Sequence, residues 1–295
     1  MSIEEYNFGE ALSSLRKMKG VSTEDLAEGI CTEEDLILFE KELKYPTIKQ
    51  VHDLARKLHI DLRYLYDMAT KSRDNYSVAI MEIINRYKRE RDYQTIYNII
   101  QKEKENPLFK ITALQQFLLW HEGICIYYLE SNIEAAIDKF DQAIILTNPL
   151  QESLTEREVE VLTSKGIIYK EEERYKEAIA VFKDALTNIE NLPYLIDKRV
   201  LLKVLFGLTQ VLTEEGQYAE SLTYSMKGLN LCLHDEQLFL LAEFHYQTGE
   251  NYIKLGNKEE GKQYIEKSIE ILLLEKNEKF ATLFKKELDK LLIEC

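Results

Sequence analysis

The segment ERYKEAIAVFKDAL, Glu173–Leu186, returns in altered form along most of the chain. Its counterparts are RDYQTIYNIIQ from Arg91, SNIEAAIDKFDQAI from Ser131, GQYAESLTYSMKGL from Gly216 and GNKEEGKQYIEKSI from Gly256. Successive segments start about 40 to 43 residues apart. A fixed period of this length indicates a solenoid built from repeated helical units.

Small residues recur at the same two places in the repeated segment. The sixth residue is small in four of the five copies, and the residue seven places later is small in the same four. These residues are Ala136, Ala178, Ser221 and Gly261, followed by Ala143, Ala185, Gly228 and Ser268. Because small side chains let two helices approach closely, this spacing predicts closely packed helices.

A second helix is expected before each segment, with its own small and aromatic residues, such as Gly166 with Tyr169 and Gly249 with Tyr252. The paired pattern resembles the tetratricopeptide repeat, with helices longer than the standard form. About five such units would stack into a right-handed superhelix with a concave face. Phe280–Ile293 is the expected capping helix at the end.

The first 70 residues have a different pattern of short helices separated by tight turns. Ser22, Thr32 and Thr47 stand where helix N-caps are expected, and Gly20 and Gly29 where helices end. The predicted helices are Phe8–Lys19, Thr23–Gly29, one that begins after Thr32, Ile48–Leu58 and Leu62–Met68. The predicted all-α chain therefore has a domain at 1–70, a linker and first repeat helix at 71–90, and repeats with a capping helix at 91–295.

The N-terminal domain resembles the lambda-repressor-like helix-turn-helix. The motifs that carry the resemblance are L-R-x-x-K-G-V-S from Leu15, L-A-E from Leu26, F-E-K-E from Phe39, Y-P-T from Tyr45 and L-A-x-x-L from Leu54. The resemblance implies that the helix after Thr32 is a DNA recognition helix.

Composition excludes several classes of protein. The net charge of −14 does not suit a general nucleic-acid coat protein or a protein that adheres to anionic membranes. The four cysteines are far apart, and no histidine or glycine motif for a metal, a nucleotide or catalysis is present. No apolar run is long enough to span a membrane, and the N-terminus lacks signal-peptide features. We therefore expect a cytoplasmic protein that is not an enzyme and has no metal or cofactor.

A repressor-type helix-turn-helix joined to long tetratricopeptide-like repeats resembles the RNPP family of Gram-positive bacteria, and above all its PlcR-like members. Further matching stretches are Arg91-Asp92-Tyr93 with Ile96-Tyr97-Asn98, Gln115–Trp120, and Tyr246-Gln247-x-Gly249-Glu250. The resemblance implies a quorum sensor whose repeats bind a short signalling peptide. It also implies a homodimer whose two helix-turn-helix domains bind a palindromic operator.

The helix-turn-helix residues that the resemblance assigns to DNA are an unusual set. Residues 1–70 hold nine lysines and arginines against 14 aspartates and glutamates, a net charge of −5, which opposes binding to phosphates. The candidate DNA contacts are Arg16, Lys17, Lys19, Thr23, Thr32, Glu33, Glu34, Ile37, Lys41 and Lys44. One interpretation is altered DNA recognition, with Glu33 or Glu34 accepting from cytosine N4. The alternative is a domain that has lost DNA binding and contacts a partner protein.

The resemblance also places a peptide site. Its residues fall on Tyr66, Arg89, Arg91, Gln247 and Phe280. Arg89 and Arg91 belong to a basic cluster in an acidic protein, and guanidinium groups bind carboxylates through paired hydrogen bonds. In the alternative interpretation, the arginines pair with neighbouring carboxylates, and Gln247 and Phe280 are packing residues.

Overall fold

Helices account for all regular structure in the computed structural model, which describes residues 8–70, 74–150 and 152–294. The all-α prediction is therefore confirmed for these residues. Contacts group the chain into two units, Met1–Arg91 (unit 1) and Asp92–Cys295 (unit 2). The domain boundaries expected near residues 70 and 90 remain a prediction.

Unit 1 consists of short helices whose starts are set by side-chain caps. Ser22 and Thr32 each accept a hydrogen bond from the backbone N–H three residues on, and Thr47 forms a full capping box with Gln50. Gly20 and Gly29 take positive φ at the turns. The helices are α1 Phe8–Met18, α2 Thr23–Ala27, α3 Glu33–Glu40, α4 Ile48–Lys57, α5 Leu62–Thr70 and α6 Asp74–Glu90. All ends with a predicted counterpart lie within two residues of the prediction.

The core of unit 1 is aliphatic with one aromatic ring. Its largest fully buried side chains are Leu12, Leu15, Leu26, Leu36, Phe39, Leu54, Leu58 and Leu65. Gly9 lies where α1 meets the end of α3, because a Cβ there would be 2.5 Å from the carbonyl oxygens of Phe39 and Glu40. The core thus fixes the recognition-type helix α3 against α1.

Unit 2 alternates two kinds of helix. The B helices contain the repeated segments and are α7 Tyr93–Glu103, α9 Ile133–Thr147, α11 Tyr175–Glu190, α13 Tyr218–His234 and α15 Lys258–Leu274. The A helices are α8 Thr112–Glu130, α10 Glu156–Glu171, α12 Arg199–Glu214, α14 Leu241–Lys254 and α16 Glu278–Glu294. A 3-10 turn, Pro107–Lys110, precedes α8. Successive A helices from α8 to α16 contact one another and form a surface that we call the A-helix face.

Every repeated segment begins with a residue in the left-handed region of φ. The φ values are 59° at Arg91, 53° at Ser131, 56° at Glu173, 80° at Gly216 and 91° at Gly256. A left-handed residue after a helix ends its hydrogen-bond pattern and reverses the chain. The alignment of the segments therefore marks the turn that leads into each B helix.

The small residues of the repeats are buried where helices come closest. Ala136, Ala178 and Ser221 have no exposed surface. A Cβ on Gly207 would lie 2.4 Å from the ring of Phe182, and one on Gly166 would lie 2.9 Å from it. The expected role of small residues in helix packing is thus observed. None of the helices in the described parts of the chain is long and apolar enough to cross a membrane.

Candidate functional site

The first candidate surface is the exposed side of α2 and α3 in unit 1. The three acidic residues of the first turn of α3 are held in different ways. Thr23 donates to Glu33 at 2.5 Å, and Asp35 accepts from Lys44 at 2.7 Å, while Glu34 is exposed. The hydrogen bond from Lys44 lowers the pKa of Asp35. Thr23, Glu33 and Lys44 therefore join α2, α3 and the following loop.

Arg16, one of the candidates for DNA contact, forms an ion pair with Glu40 inside unit 1. Its guanidinium contacts the Glu40 carboxylate through Nε at 2.6 Å and Nη2 at 2.9 Å, and donates to the Val21 carbonyl at 3.1 Å. Both side chains are nearly buried, at 12% and 11% exposure. Burial raises the pKa of Glu40, but hydrogen bonds from Arg16 and Ser13 outweigh it and leave that pKa below its ordinary value.

The remaining candidates for DNA contact differ in exposure. Lys17, Lys19 and Lys41 are exposed, and so is the capping residue Thr32, whereas Ile37 is half-buried. The loop after α3 and the first residue of α4 also expose large apolar side chains: Leu43 at 72%, Tyr45 at 61% and Ile48 at 88%. The surface thus combines exposed lysines, carboxylates and apolar side chains.

We expect Arg16→Ala to lower the free energy of unfolding of unit 1 by about 2 kcal/mol, because it leaves a nearly buried carboxylate without its charged donor. Hydrogen exchange across α1 and α3, followed by mass spectrometry, measures this change. Lys19→Ala is the control and should change stability by less than about 0.5 kcal/mol. Equal protection in the two variants would contradict a structural role for Arg16.

The predicted peptide residues of unit 1 are all exposed. Tyr66 lies on α5 with 55% of its surface exposed. Arg89 lies in the last turn of α6, and Arg91, which has a left-handed backbone conformation, directly follows the end of that helix. Within the described residues, neither Arg89 nor Arg91 has a salt bridge. The pairing with neighbouring carboxylates that we considered for these arginines is therefore absent there.

Gln247, on α14 of unit 2, belongs to a buried network instead of a free surface. It is 5% exposed and donates to Thr213 at 3.1 Å and to Glu250 at 2.8 Å. Thr213 in turn bonds Ser221 at 2.8 Å and Asn251 at 3.0 Å. These contacts tie α12, α13 and α14 together, which favours the packing interpretation of Gln247.

Phe280, by contrast, is 48% exposed on α16. Its ring lies 6.4 Å from that of Phe284, which stacks on Tyr246 of α14 at 4.2 Å. Phe280 therefore extends an aromatic row that begins beside Gln247. The structure brings these two predicted residues to the same end of the A-helix face.

The same end of the face carries a group of carboxylates that our sequence analysis did not assign. Burial and the negative charges of Glu214 and Glu287 raise the pKa of Glu250 to about 7. These three residues come from α12, α14 and α16. The helical spacing of Glu243, Tyr246 and Glu250 could have placed Glu250 on one face of α14, but no local pattern brings Glu214 and Glu287 to it.

Farther along the A-helix face, polar contacts join neighbouring A helices. Trp120 of α8 donates to Ser164 of α10 at 2.8 Å. Lys203 of α12 contacts Glu160 of α10 at 2.8 Å. Arg157 pairs with Glu160 at 3.2 Å and also lies 5.7 Å from the Trp120 ring. The middle of the face is thus a surface of paired charges and aromatic rings.

Residues 81–288 match the model of the RNPP family C-terminal domain. The chain belongs to the RNPP family. The match covers more than half of the chain, including all B helices and most of α16. A comparison with curated protein sequences found no match.

Solved structures of RNPP-type regulators share the fold over nearly the whole chain. PlcR of Bacillus thuringiensis, in complex with the peptide PapR7 and DNA, has a TM-score of 0.76 at 22% identity, covering 94% of this chain and 99% of its own. The SHP pheromone receptor Rgg2 of Streptococcus dysgalactiae has a TM-score of 0.70 at 14% identity, covering 96% and 99%. ComR of S. thermophilus, in complex with DNA and its signalling peptide ComS, has a TM-score of 0.64 at 14% identity, covering 96% and 99%. The predicted fold, a helix-turn-helix followed by tetratricopeptide-like repeats, is thereby confirmed.

Proposed function

We propose that this RNPP chain is a peptide-responsive transcriptional regulator that works in the cytoplasm. The repeats bind a short signalling peptide, and the peptide controls how a dimer of helix-turn-helix units engages a palindromic operator. The observation that carries the proposal is the match of residues 81–288 to the RNPP family. In the same chain, unit 1 has the N-capped helices α2 and α3 of a helix-turn-helix. The structures of PlcR and ComR, which share this fold, are complexes with a peptide and DNA. Catalysis has no part in the proposal.

The peptide acts by selecting one arrangement of the dimer. A ligand shifts an equilibrium only by its difference in affinity for the two states. If the peptide promotes DNA binding, it must bind the DNA-competent arrangement more tightly than the other one. If the peptide releases the regulator from DNA, it must bind the other arrangement more tightly.

The proposed DNA contacts are the exposed lysines and the start of α3. Lys17, Lys19 and Lys41 would neutralise phosphates, and the free N–H groups at the helix N-termini would hold others. Glu33 or Glu34 would accept from cytosine N4. With so few cations, the affinity should fall only gently with salt, at roughly −0.9 in log–log slope per phosphate neutralised.

The test is selection of a random duplex library by the purified full chain at several salt concentrations, with and without a library of short synthetic peptides. Enrichment of a palindrome with a shallow salt slope, changed by peptide, supports the proposal. A folded protein that enriches no sequence under any condition contradicts the DNA-binding part.

A second candidate function is favoured by the exposed side chains of Leu43, Tyr45 and Ile48. The Lys44–Asp35 contact holds this loop beside the acidic turn of α3. In this candidate, unit 1 binds a basic, partly apolar protein surface in place of DNA. Failure to enrich DNA, together with saturable binding of a protein partner that Ile48→Lys abolishes, would establish it.

For the peptide site, we propose that Arg89 and Arg91 take a peptide carboxylate. We expect Arg89→Glu with Arg91→Glu to weaken peptide binding by about a hundredfold, through the loss of charge-assisted hydrogen bonds. Isothermal titration with peptides from the library measures this, each peptide tested with a free carboxylate and as its C-terminal amide.

The control for this prediction is Lys49→Glu with Arg56→Glu, which makes the same charge change at exposed sites of α4 in unit 1. It should leave peptide affinity within about threefold, because α4 carries none of the proposed peptide residues and salt screens the interactions of exposed charges. Unchanged affinity in the Arg89 and Arg91 variant would show that the peptide lies elsewhere.

A further inference from the structure

The two edges of unit 2 differ in chemistry. The turns from a B helix to the next A helix all lie at one edge, which we call the apolar edge, because A and B helices alternate in direction. Large side chains are exposed at or beside the last four of these five turns: Leu150 at 75%, Tyr194 at 72%, Ile196 at 85%, Leu233 at 58%, Leu238 at 66% and Leu274 at 84%. The turns at the opposite edge include the polar stretches 171–174, EEER, and 214–217, EEGQ. Exposed apolar patches larger than about a few hundred Å² commonly mark interaction sites.

The apolar edge is one connected surface across at least three turns. The backbone N–H of Leu154 donates to Asn188 at 3.2 Å. The Glu156 carboxylate accepts from the backbone N–H groups of Ile196 and Asp197. Lys198 then pairs with Asp235 of the next turn at 2.7 Å. The exposed apolar side chains are thus presented on turns that are fixed to one another.

Two carboxylates at this edge are paired within it. The Asp197 carboxylate is held by Arg199 at 2.7 Å, and Asp235 by Lys198 and by His234 at 2.9 Å. For a chain of net charge −14, two copies repel least where carboxylates are already paired. These pairs reduce the repulsion that a second, equally acidic copy would meet at this edge.

Two cavities lie beside the exposed apolar side chains of this edge. A cavity of about 510 Å³ lies between the start of α10 and the turn before α12, lined in part by Leu192, Pro193 and Val200. A second cavity of about 260 Å³ lies at the next turn, lined in part by Leu201 and Leu231. In a two-fold interface both copies use the same surface, so that surface must contain both a protruding side chain and the cavity that accepts it. Tyr194 and Ile196 line the larger cavity and project strongly, so this requirement is met.

The size of the edge fits a stable dimer. At roughly 200 Å² for a large side chain, the six exposed residues and their neighbours amount to on the order of 800–1,000 Å². A standard protein–protein interface covers about 800 Å² on each partner.

From these observations we infer that the apolar edge of unit 2 is the contact surface for a second copy of this chain. The inference rests on the two-fold assembly of the proposed function and assigns it a surface. Tyr194 and Ile196 of one copy insert into the cavity beside α10 and α12 of the other.

The test is the mass of the full chain in solution, measured by sedimentation over a range of concentrations without DNA or peptide. We expect a dimer for the wild type. Tyr194→Lys with Ile196→Glu should raise its dissociation constant at least about a hundredfold, the scale of losing two central anchors of an interface. Both side chains are more than 70% exposed, so the helical content of the variant should be unchanged.

The matched control is Leu255→Lys with Ile293→Glu, at 42% and 85% exposure away from the apolar edge. It should leave the dissociation constant within about threefold, as for changes outside an interface. A photo-crosslinking residue at position 194 should join two copies, with the second attachment on the apolar edge.

Three results would overturn the inference: a wild type that stays monomeric at all concentrations, a dimer that the edge variant leaves intact, or crosslinks outside the edge. The test measures only the mass of the protein in solution and the position of the crosslink on the second copy. Loss of peptide or DNA binding in separate assays therefore bears on the proposed function and not on this surface.

Discussion

Replacing Gly249 with alanine is expected to lower the free energy of unfolding of unit 2 by about 3 kcal/mol. A Cβ at this position would lie 2.5 Å from the carbonyl oxygen of Gly261 and 2.6 Å from Cγ1 of Ile265. The carbonyl belongs to the backbone of α15 and cannot move without separating α14 from α15. Alanine favours a helix over glycine by about 1 kcal/mol, but this gain is smaller than the cost of the clash.

Denaturation by urea measures the effect, with the fluorescence of Trp120, the single tryptophan, as a probe within unit 2. Gly256→Ala is the control. Gly256 has φ of 91° and open space around it, so its replacement should cost about 1 kcal/mol through backbone strain alone. If Gly249→Ala cost no more than Gly256→Ala, the close approach of α14 and α15 would not limit stability.

Gly249 and Gly261 illustrate what repeat patterns predict. Each was identified from sequence as a small residue in its own helix. That they face each other, with a Cβ on either one lying 2.5 Å from the other's carbonyl, depends on the rotation of α14 against α15. A period of about 40 residues predicts that the two helices pair, whereas the rotation follows from tertiary packing.

Local signals predicted unit 1 well because its helix ends depend on residues within one turn. The caps at Ser22, Thr32 and Thr47 each act over three residues, so the sequence alone contains their cause. The role of Arg16 was harder to predict because its partner, Glu40, is 24 residues away. A basic residue in a helix-turn-helix motif suggests phosphate contact, and only the packing of α1 on α3 reveals the structural pair.

The residues predicted for the peptide site also include some whose surroundings could not be predicted from the sequence. Phe280 and Arg89 are exposed as a binding role requires, whereas Gln247 is enclosed by Thr213 and Glu250. A family motif assigns a residue type to a position, but its hydrogen bonds are set by neighbours from other helices. The buried network of α12, α13 and α14 is such a set.

Glu250→Gln is expected to stabilise unit 2 at pH 8 by about 3 kcal/mol and to have little effect at pH 4. Burial and the nearby charge of Glu214 raise the pKa of Glu250 from 4.5 to about 7, although Lys254 and the hydrogen bond from Gln247 act in the opposite direction. A raised pKa means that the folded state binds a proton more tightly than the unfolded state. Stability is therefore lost as pH rises from about 4.5 to about 7, at about 1.4 kcal/mol for each unit of pKa shift.

Glutamine removes this dependence because it is neutral at every pH in this range, and its amide oxygen can still accept from Gln247. Urea denaturation followed by Trp120 fluorescence, at half-unit steps from pH 4 to pH 8, should give a wild-type curve that falls and a variant curve that falls less. Glu259→Gln, an exposed change of equal charge on α15, should follow the wild type. Parallel curves for Glu250→Gln and wild type would mean that Glu250 ionises without cost, and that the carboxylates of α12, α14 and α16 are too well solvated to influence one another.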